Sequence, residues 1–193
     1  MADVVFLLDS SGSMTSLNYQ KEKDFLKSIA TKFVGSKYQS RIGLITFSNV
    51  AEYSIKLKDA TDIASFKIAI DSIPLMGTVT RIDKALQLAQ KIIFDRNTGA
   101  RPAIPKVLVL LTNGYQTQEA DTEDPAVIAN ELRKAGISII VLGIGSSVKK
   151  GELTGISGSS LDYYNTPTFD DLLSDAFIKS AQDAQCIGMV YHL

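Results

Sequence analysis

"VVFLLDSSGSM", Val4 to Met14, sets an apolar run directly before an aspartate and two serines at alternate positions. Five consecutive apolar residues, Val4 to Leu8, read as a strand buried on both faces. Asp9, Ser11 and Ser13 stand where that strand ends, with Gly12 among the hydroxyls. Asp and Ser are favoured helix N-caps, so this stretch alone is read equally well as the cap of a following helix. The choice depends on which other polar loops reach the same edge.

Working outward, apolar residues Leu26, Ile29, Ala30, Phe33 and Val34 recur at helical spacing within 17–34. Ile42 to Phe47 forms a second apolar run, and Ala51 to Leu57 reads as its hairpin partner. A helix is expected from Ile63 to Ile73, before Pro74, and another carries Ile82, Ala85, Leu86, Ala89, Ile92 and Ile93 on one face. Val107 to Leu111 is a third buried strand. Asp124-Pro125 opens a helix that stops at Gly136, and "ISIIVLGIG" is a fourth strong strand. Weaker signals place a helix at 149–156 and a strand around Leu161 to Tyr163. Phe169, Leu172, Leu173, Ala176, Phe177 and Ala181 describe an amphipathic closing helix, Phe169 to Ala184. This alternation argues for an α/β fold, a mostly parallel sheet with helices on both faces.

The bulk numbers narrow the function. The 193 residues, 45% hydrophobic and 21% charged, suit one domain with a proper core. A net charge of -1 supplies no basic field for nucleic acid, and Lys149-Lys150 reads as a solvated turn. No apolar stretch approaches the ~20 residues that span a bilayer. Met1-Ala2-Asp3 lacks the regions of a signal peptide, so residues 1–193 are expected to be one module excised from a larger protein. Cys186 is the single cysteine: a buried thiol, or half of a disulfide to a cysteine outside this sequence. His192, the single histidine, lies too near the end for a catalytic or zinc role.

In a doubly wound sheet, ligands sit beyond the carboxyl ends of the strands, where the connections reverse direction. Asp9 to Ser13 lies at such an end, as does Leu111-Thr112-Asn113-Gly114. A third polar cluster, Gly77 to Asp83, precedes a helix. Carboxylate, hydroxyls and an amide at one edge suit a hard divalent cation such as Mg2+, which prefers oxygen ligands in a near-octahedral shell. The thiolates and imidazoles that favour zinc are absent from these loops.

On these residues the chain resembles the von Willebrand factor type A domain, the module shared with integrin I domains. "RIGLITFSN", "GTVTRIDKAL", "KVLVLLTNG", "AGISIIVLGIG" and "FDDLL" are similar to family landmarks in the family's order. The resemblance implies a Rossmann-like sheet with one antiparallel edge strand and a metal-ion-dependent adhesion site. By motif, that site takes Asp9, Ser11 and Ser13 from the first loop and a threonine from the middle loop. Counting back from Ala85-Leu86 favours Thr80, with Thr78 the fallback; Arg81 and Asp83 are assigned to the loop and helix start. The family usually reads Thr-Asp-Gly in the later loop, where this chain has Thr112-Asn113-Gly114. Asn113 keeps an oxygen acceptor but loses a charge, which implies weaker cation affinity and a stronger pull on an anionic sixth ligand. The implied function is non-enzymatic: adhesion through a divalent cation (Mg2+ first, Ca2+ or Mn2+ next) that accepts an acidic residue of a partner. The implied setting is secreted, in extracellular matrix, with collagen among the candidate partners. Competing readings are a structural or biomineral-matrix module with weakened or lost metal dependence, and an Mg2+-dependent phosphatase using Asp9. The phosphatase would want a second acid where Ser11 stands, and "GIGSSVKKG" lacks phosphate-loop spacing for a nucleotide.

Overall fold

The structure, a computed structural model, describes residues 1–33, 40–59 and 62–174. Among these residues six strands form one sheet: β1 (Asp3–Asp9), β2 (Arg41–Phe47), β3 (Ala51–Ile55), β4 (Lys106–Thr112), β5 (Ile137–Ile144) and β6 (Tyr163–Thr166). Their order is β3-β2-β1-β4-β5-β6. Only β2 and β3 pair antiparallel; every other neighbouring pair is parallel.

The apolar runs become strands because both their faces are covered. Val4, Phe6 and Leu8 of β1 enter one core cluster, with Phe25, Leu26 and Ile29 of α1 (Ser16–Phe33) and Phe66 and Ile70 of α2 (Ile63–Asp71). Val5 and Leu7 enter the other. There they join Ala85, Leu86 and Ala89 of α3 (Ile82–Ile92), Ile128 and Leu132 of α4 (Pro125–Lys134), and Leu153 and Ile156 of α5 (Lys150–Ser157). This is the doubly wound arrangement. Burying one Leu, Ile or Phe contributes about 1.5–3 kcal/mol, so β1 and β4, apolar on both faces, form a rigid base.

Side-chain N-caps open two helices, the one at Asp124 where expected and one at Asp62; α2 ends at Asp71, two residues before the expected Ile73. Asp62 accepts a hydrogen bond from Ser65 N at 2.8 Å to open α2, and Asp124 accepts from Ala126 N at 2.9 Å ahead of Pro125. At the opposite edge from the loops of interest, buried Asp3 accepts from the Arg101 backbone and Nε and from Lys106 Nζ.

Two expectations shift. The last strand lies at Tyr163–Thr166, later than Leu161 to Tyr163, because α5 ends at Gly158 (φ 78°) and a turn spends the next residues. Leu161 is 80% exposed, an apolar residue belonging to that turn. Of the closing helix, Asp171–Leu173 forms a 3-10 turn with Leu172 buried. Residues 175–184 of that segment, Cys186 and His192 lie outside the described residues.

Candidate metal centre

The chain leaves β1 on one side, through α1 to β2, and reaches β4 on the other. The connections therefore reverse between β1 and β4, and the crevice opens at their carboxyl ends. Asp9 closes β1 and Thr112-Asn113 closes β4.

Asp9 is fully buried and its carboxylate is gripped from both sides. Oδ1 accepts from Ser11 N at 2.9 Å, and Oδ2 accepts from Thr112 Oγ1 at 2.6 Å. Burial pushes this carboxyl above its ordinary range, and the Thr112 and Ser11 hydrogen bonds offset part of that rise. A hydroxyl chain continues outward, with Ser11 Oγ 3.1 Å from Ser13 Oγ and Ser13 Oγ donating to Asn113 Oδ1 at 3.1 Å. Because a serine has one proton and Ser13 spends it on Asn113, Ser11 must donate to Ser13. Ser13, in the middle of this chain, lies open at the mouth, while Ser11 is 1% and Asn113 7% exposed.

The middle loop distinguishes its two threonines. Thr78 Oγ1 is 3.2 Å from Ser48 Oγ, which also accepts from Thr78 N at 3.1 Å. Thr80 instead pairs its backbone with Thr117, N–H to Thr117 Oγ1 at 3.1 Å and C=O from Thr117 N at 2.8 Å. Its hydroxyl lies against Gly114, where an added Cβ would sit 3.2 Å from Oγ1. The glycine of the first loop also has a reason: a Cβ on Gly12 would approach Thr78 O to 3.1 Å.

Asp9, Ser11, Ser13 and Asn113 thus form one hydrogen-bonded set, and Thr80 stands beside the loop that follows Asn113. Among the described residues, no group of three or more His, Cys, Asp or Glu side chains is placed to hold a metal ion, so the polar edge offers one carboxylate, three hydroxyls and a carboxamide. A depression of about 500 Å³ lies elsewhere, lined by Phe94, Arg101, Ile104 and Lys106, and its Arg101 and Lys106 are committed to Asp3.

The sequence profile of the von Willebrand factor type A domain matches residues 3–177. The chain belongs to the von Willebrand factor type A domain family. Human von Willebrand factor A domain-containing protein 2 is 30% identical over 170 residues, which cover 88% of this chain and 22% of the relative. The human collagen alpha-6(VI) chain is 33% identical over 172 residues, covering 89% of this chain and 7% of its own. This A domain therefore spans less than a quarter of these curated relatives. Proximal thread matrix protein 1 from the mussel byssus superposes with a TM-score of 0.88 at 27% identity, over 96% of this chain and 47% of that one. A further structure of that mussel protein, at a TM-score of 0.86, is described as having a zinc-occupied metal-ion-dependent adhesion site.

Three neighbours of the A domain's polar edge were not assigned from sequence. Thr112 reads from sequence only as part of a polar loop, yet its hydroxyl holds Asp9. Ser48 locks Thr78 from the end of β2. Glu22, fully buried on α1, follows Tyr19 by three positions and precedes Phe25 and Leu26 by three and four. That spacing puts it on the core face, a phase the sequence already displays.

Proposed function

We propose that this A domain is a cation-dependent adhesion module of extracellular matrix, with Asp9, Ser11, Ser13, Thr80 and Asn113 holding a divalent cation. The observation that carries the reading is the hydrogen-bonded set joining Asp9, Ser11, Ser13 and Asn113 across the strand switch. All five donors are oxygens, matching Mg2+ first, then Ca2+ or Mn2+. When bound, the cation supplies an electrophilic position for the carboxylate of a partner's Asp or Glu. The protein's part is to desolvate Asp9, orient its oxygens through Thr112 and Ser11, and keep Ser13 at the open mouth.

The partner is proposed to be a matrix protein, collagen among the candidates, and the A domain to be one module of a longer secreted, non-enzymatic protein. Matrix relatives and the mussel thread protein support this setting. Pull-down from matrix extract in Mg2+, Ca2+ or EDTA tests it, with an Asp9→Ala control. Capture that needs the cation and Asp9 is the expected result; capture by no form would refute it.

Asn113 favours one second reading. Its amide oxygen already takes the Ser13 proton, so the outer hydroxyls are satisfied without a cation. A structural module with lost metal dependence would bind its partner equally well in EDTA.

Asn113→Asp is expected to raise Mg2+ affinity about tenfold by adding one charge at a partly desolvated site. Calorimetric titration of both forms measures it, and equal affinities would contradict the place given to residue 113.

A further inference from the structure

α1 carries a carboxyl into the core beneath the metal loops. Glu22 is fully buried, and among the described residues neither of its oxygens has a hydrogen-bond partner. Tyr19, one turn earlier on the same face, is also buried, and its phenol lacks a hydrogen bond of good geometry. The Tyr19 ring lies close enough to Ser10 and Asp9 to feel both, and burial pushes its phenol up to about 12. Glu22 and Asp9 repel one another through the same region.

Lys21, Lys23 and Lys27 of α1 have partners other than Glu22, and Lys23 Nζ lies 5.2 Å from the centre of the Tyr19 ring. Lys21 pairs with Asp170 at 2.5 Å. Lys23 donates to the carbonyls of Asp71 and Ile73, and Lys27 bonds to Asp24 and Asp71. An unpartnered carboxylate in a core is strongly disfavoured unless a positive charge faces it. The natural candidate is an ion at Asp9, where the loops themselves offer a single negative charge and an uncharged Asn113.

We propose that Glu22 is the second anion of the metal site, a carboxyl held in the core behind Asp9 that supplies the charge absent at residue 113. This inference rests on the proposed cation role of the loops. Without the ion, Glu22 keeps its proton: burial first, and then the Asp9 charge, hold it well above the ordinary glutamate range. When the ion enters, the Glu22 O–H bond breaks, the proton leaves to solvent, and the carboxylate stays as long-range counter-charge. Glu22 is thus a positioning residue for charge and need not touch the ion.

The same proton has a stability signature. A carboxyl with a raised folded value contributes stability below the unfolded range, and that contribution is lost as pH rises through the folded value. In EDTA, the parent should therefore lose thermal stability relative to Glu22→Gln as pH rises above the ordinary glutamate range.

The test is Mg2+ calorimetry on the parent and Glu22→Gln, in two buffers of different ionisation enthalpy, which counts the protons released. Glu22→Gln is expected to bind Mg2+ about tenfold more weakly and to release fewer protons. Adding Asn113→Asp to Glu22→Gln should recover most of that affinity. Glu22→Met, tested in the same way, covers poor folding of the glutamine form. Parent-like affinity and proton count in a folded Glu22 variant would overturn this inference alone. Should the parent take up no more Mg2+ than Asp9→Ala, both this inference and the reading of the loops fall.

Discussion

Arg81→Met is expected to destabilise the domain by about 3–5 kcal/mol, the cost typical of removing one member of a buried ion pair. The Arg81 side chain is 1% exposed and that of Asp83 0%. Nε donates to Asp83 Oδ1 at 2.9 Å and Nη2 to Oδ2 at 2.7 Å, a bidentate pair. Nη1 reaches Glu119 at 2.5 Å and Asp121 at 2.7 Å. Gln116 Nε2 and Glu123 N complete the donors to Asp83, at 2.8 and 3.2 Å. Methionine fills much of the volume but strands the Asp83 charge. Arg81→Met combined with Asp83→Leu should therefore lose less than Arg81→Met alone, because replacing both members removes the stranded charge. Denaturant unfolding of the single and double variants measures this, and a double variant no more stable than the single would refute it. Acid adds a sign. Burial raises the Asp83 carboxyl, but hydrogen bonds from Arg81, Gln116 and Glu123 outweigh it and hold the group below its ordinary range. Its contribution is present above the unfolded value near about 3.9 and is lost as pH falls through the folded one. Arg81→Met should accordingly flatten the acid limb of the stability curve. It should also weaken cation binding, since the neighbouring residue is Thr80.

That pair marks the limit of what one sequence displays. The buried strands were legible because the apolar runs at Val4–Leu8 and Val107–Leu111 have no use except between two layers. The loop residues were legible because Asp9, Ser11 and Ser13 end a strand in an order a resemblance could match. Arg81 and Asp83 were assigned to the loop and helix start, and the structure places them there. Their partners could not be named, because Glu119 and Asp121 lie 38 and 40 positions from Arg81 and meet it only when β4 closes beside β1. Counting back from Ala85-Leu86 favours Thr80 over Thr78; the contact of Thr78 Oγ1 with Ser48 Oγ at 3.2 Å, from the loop after β2, is not visible to such a count. The last strand was placed too early because Leu161 and Tyr163 resemble a strand start, while the turn after Gly158 is set by αL geometry. Glu22 was overlooked for the opposite reason. A lone acid in a charged helical stretch, "QKEKD", reads as solvated surface unless its phase against Tyr19 and Phe25 is counted.

Asp9→Asn is expected to abolish cation binding while leaving the fold intact. A carboxamide retains an oxygen to accept from one of the two donors that hold Asp9, Ser11 N at 2.9 Å and Thr112 Oγ1 at 2.6 Å. It removes the one charge among the five proposed ligands. Losing one of those hydrogen bonds costs about 1 kcal/mol, offset in part because a fully buried carboxylate no longer has to be desolvated. Unfolding in EDTA should therefore change by no more than about 1–2 kcal/mol. Mg2+ affinity, by contrast, should fall at least about a hundredfold, more than the loss typical of groups that only orient a ligand. Asp9→Ala should match it in cation binding but leave Thr112 Oγ1 without its acceptor, making the cation-free protein less stable than Asp9→Asn. The two variants together separate charge from scaffolding: if the loops grip a cation, both lose it, and only the alanine form loses the strand-to-strand tie as well. Parent-like Mg2+ binding by a folded Asp9→Asn would show that the oxygens at the β1–β4 switch serve only each other.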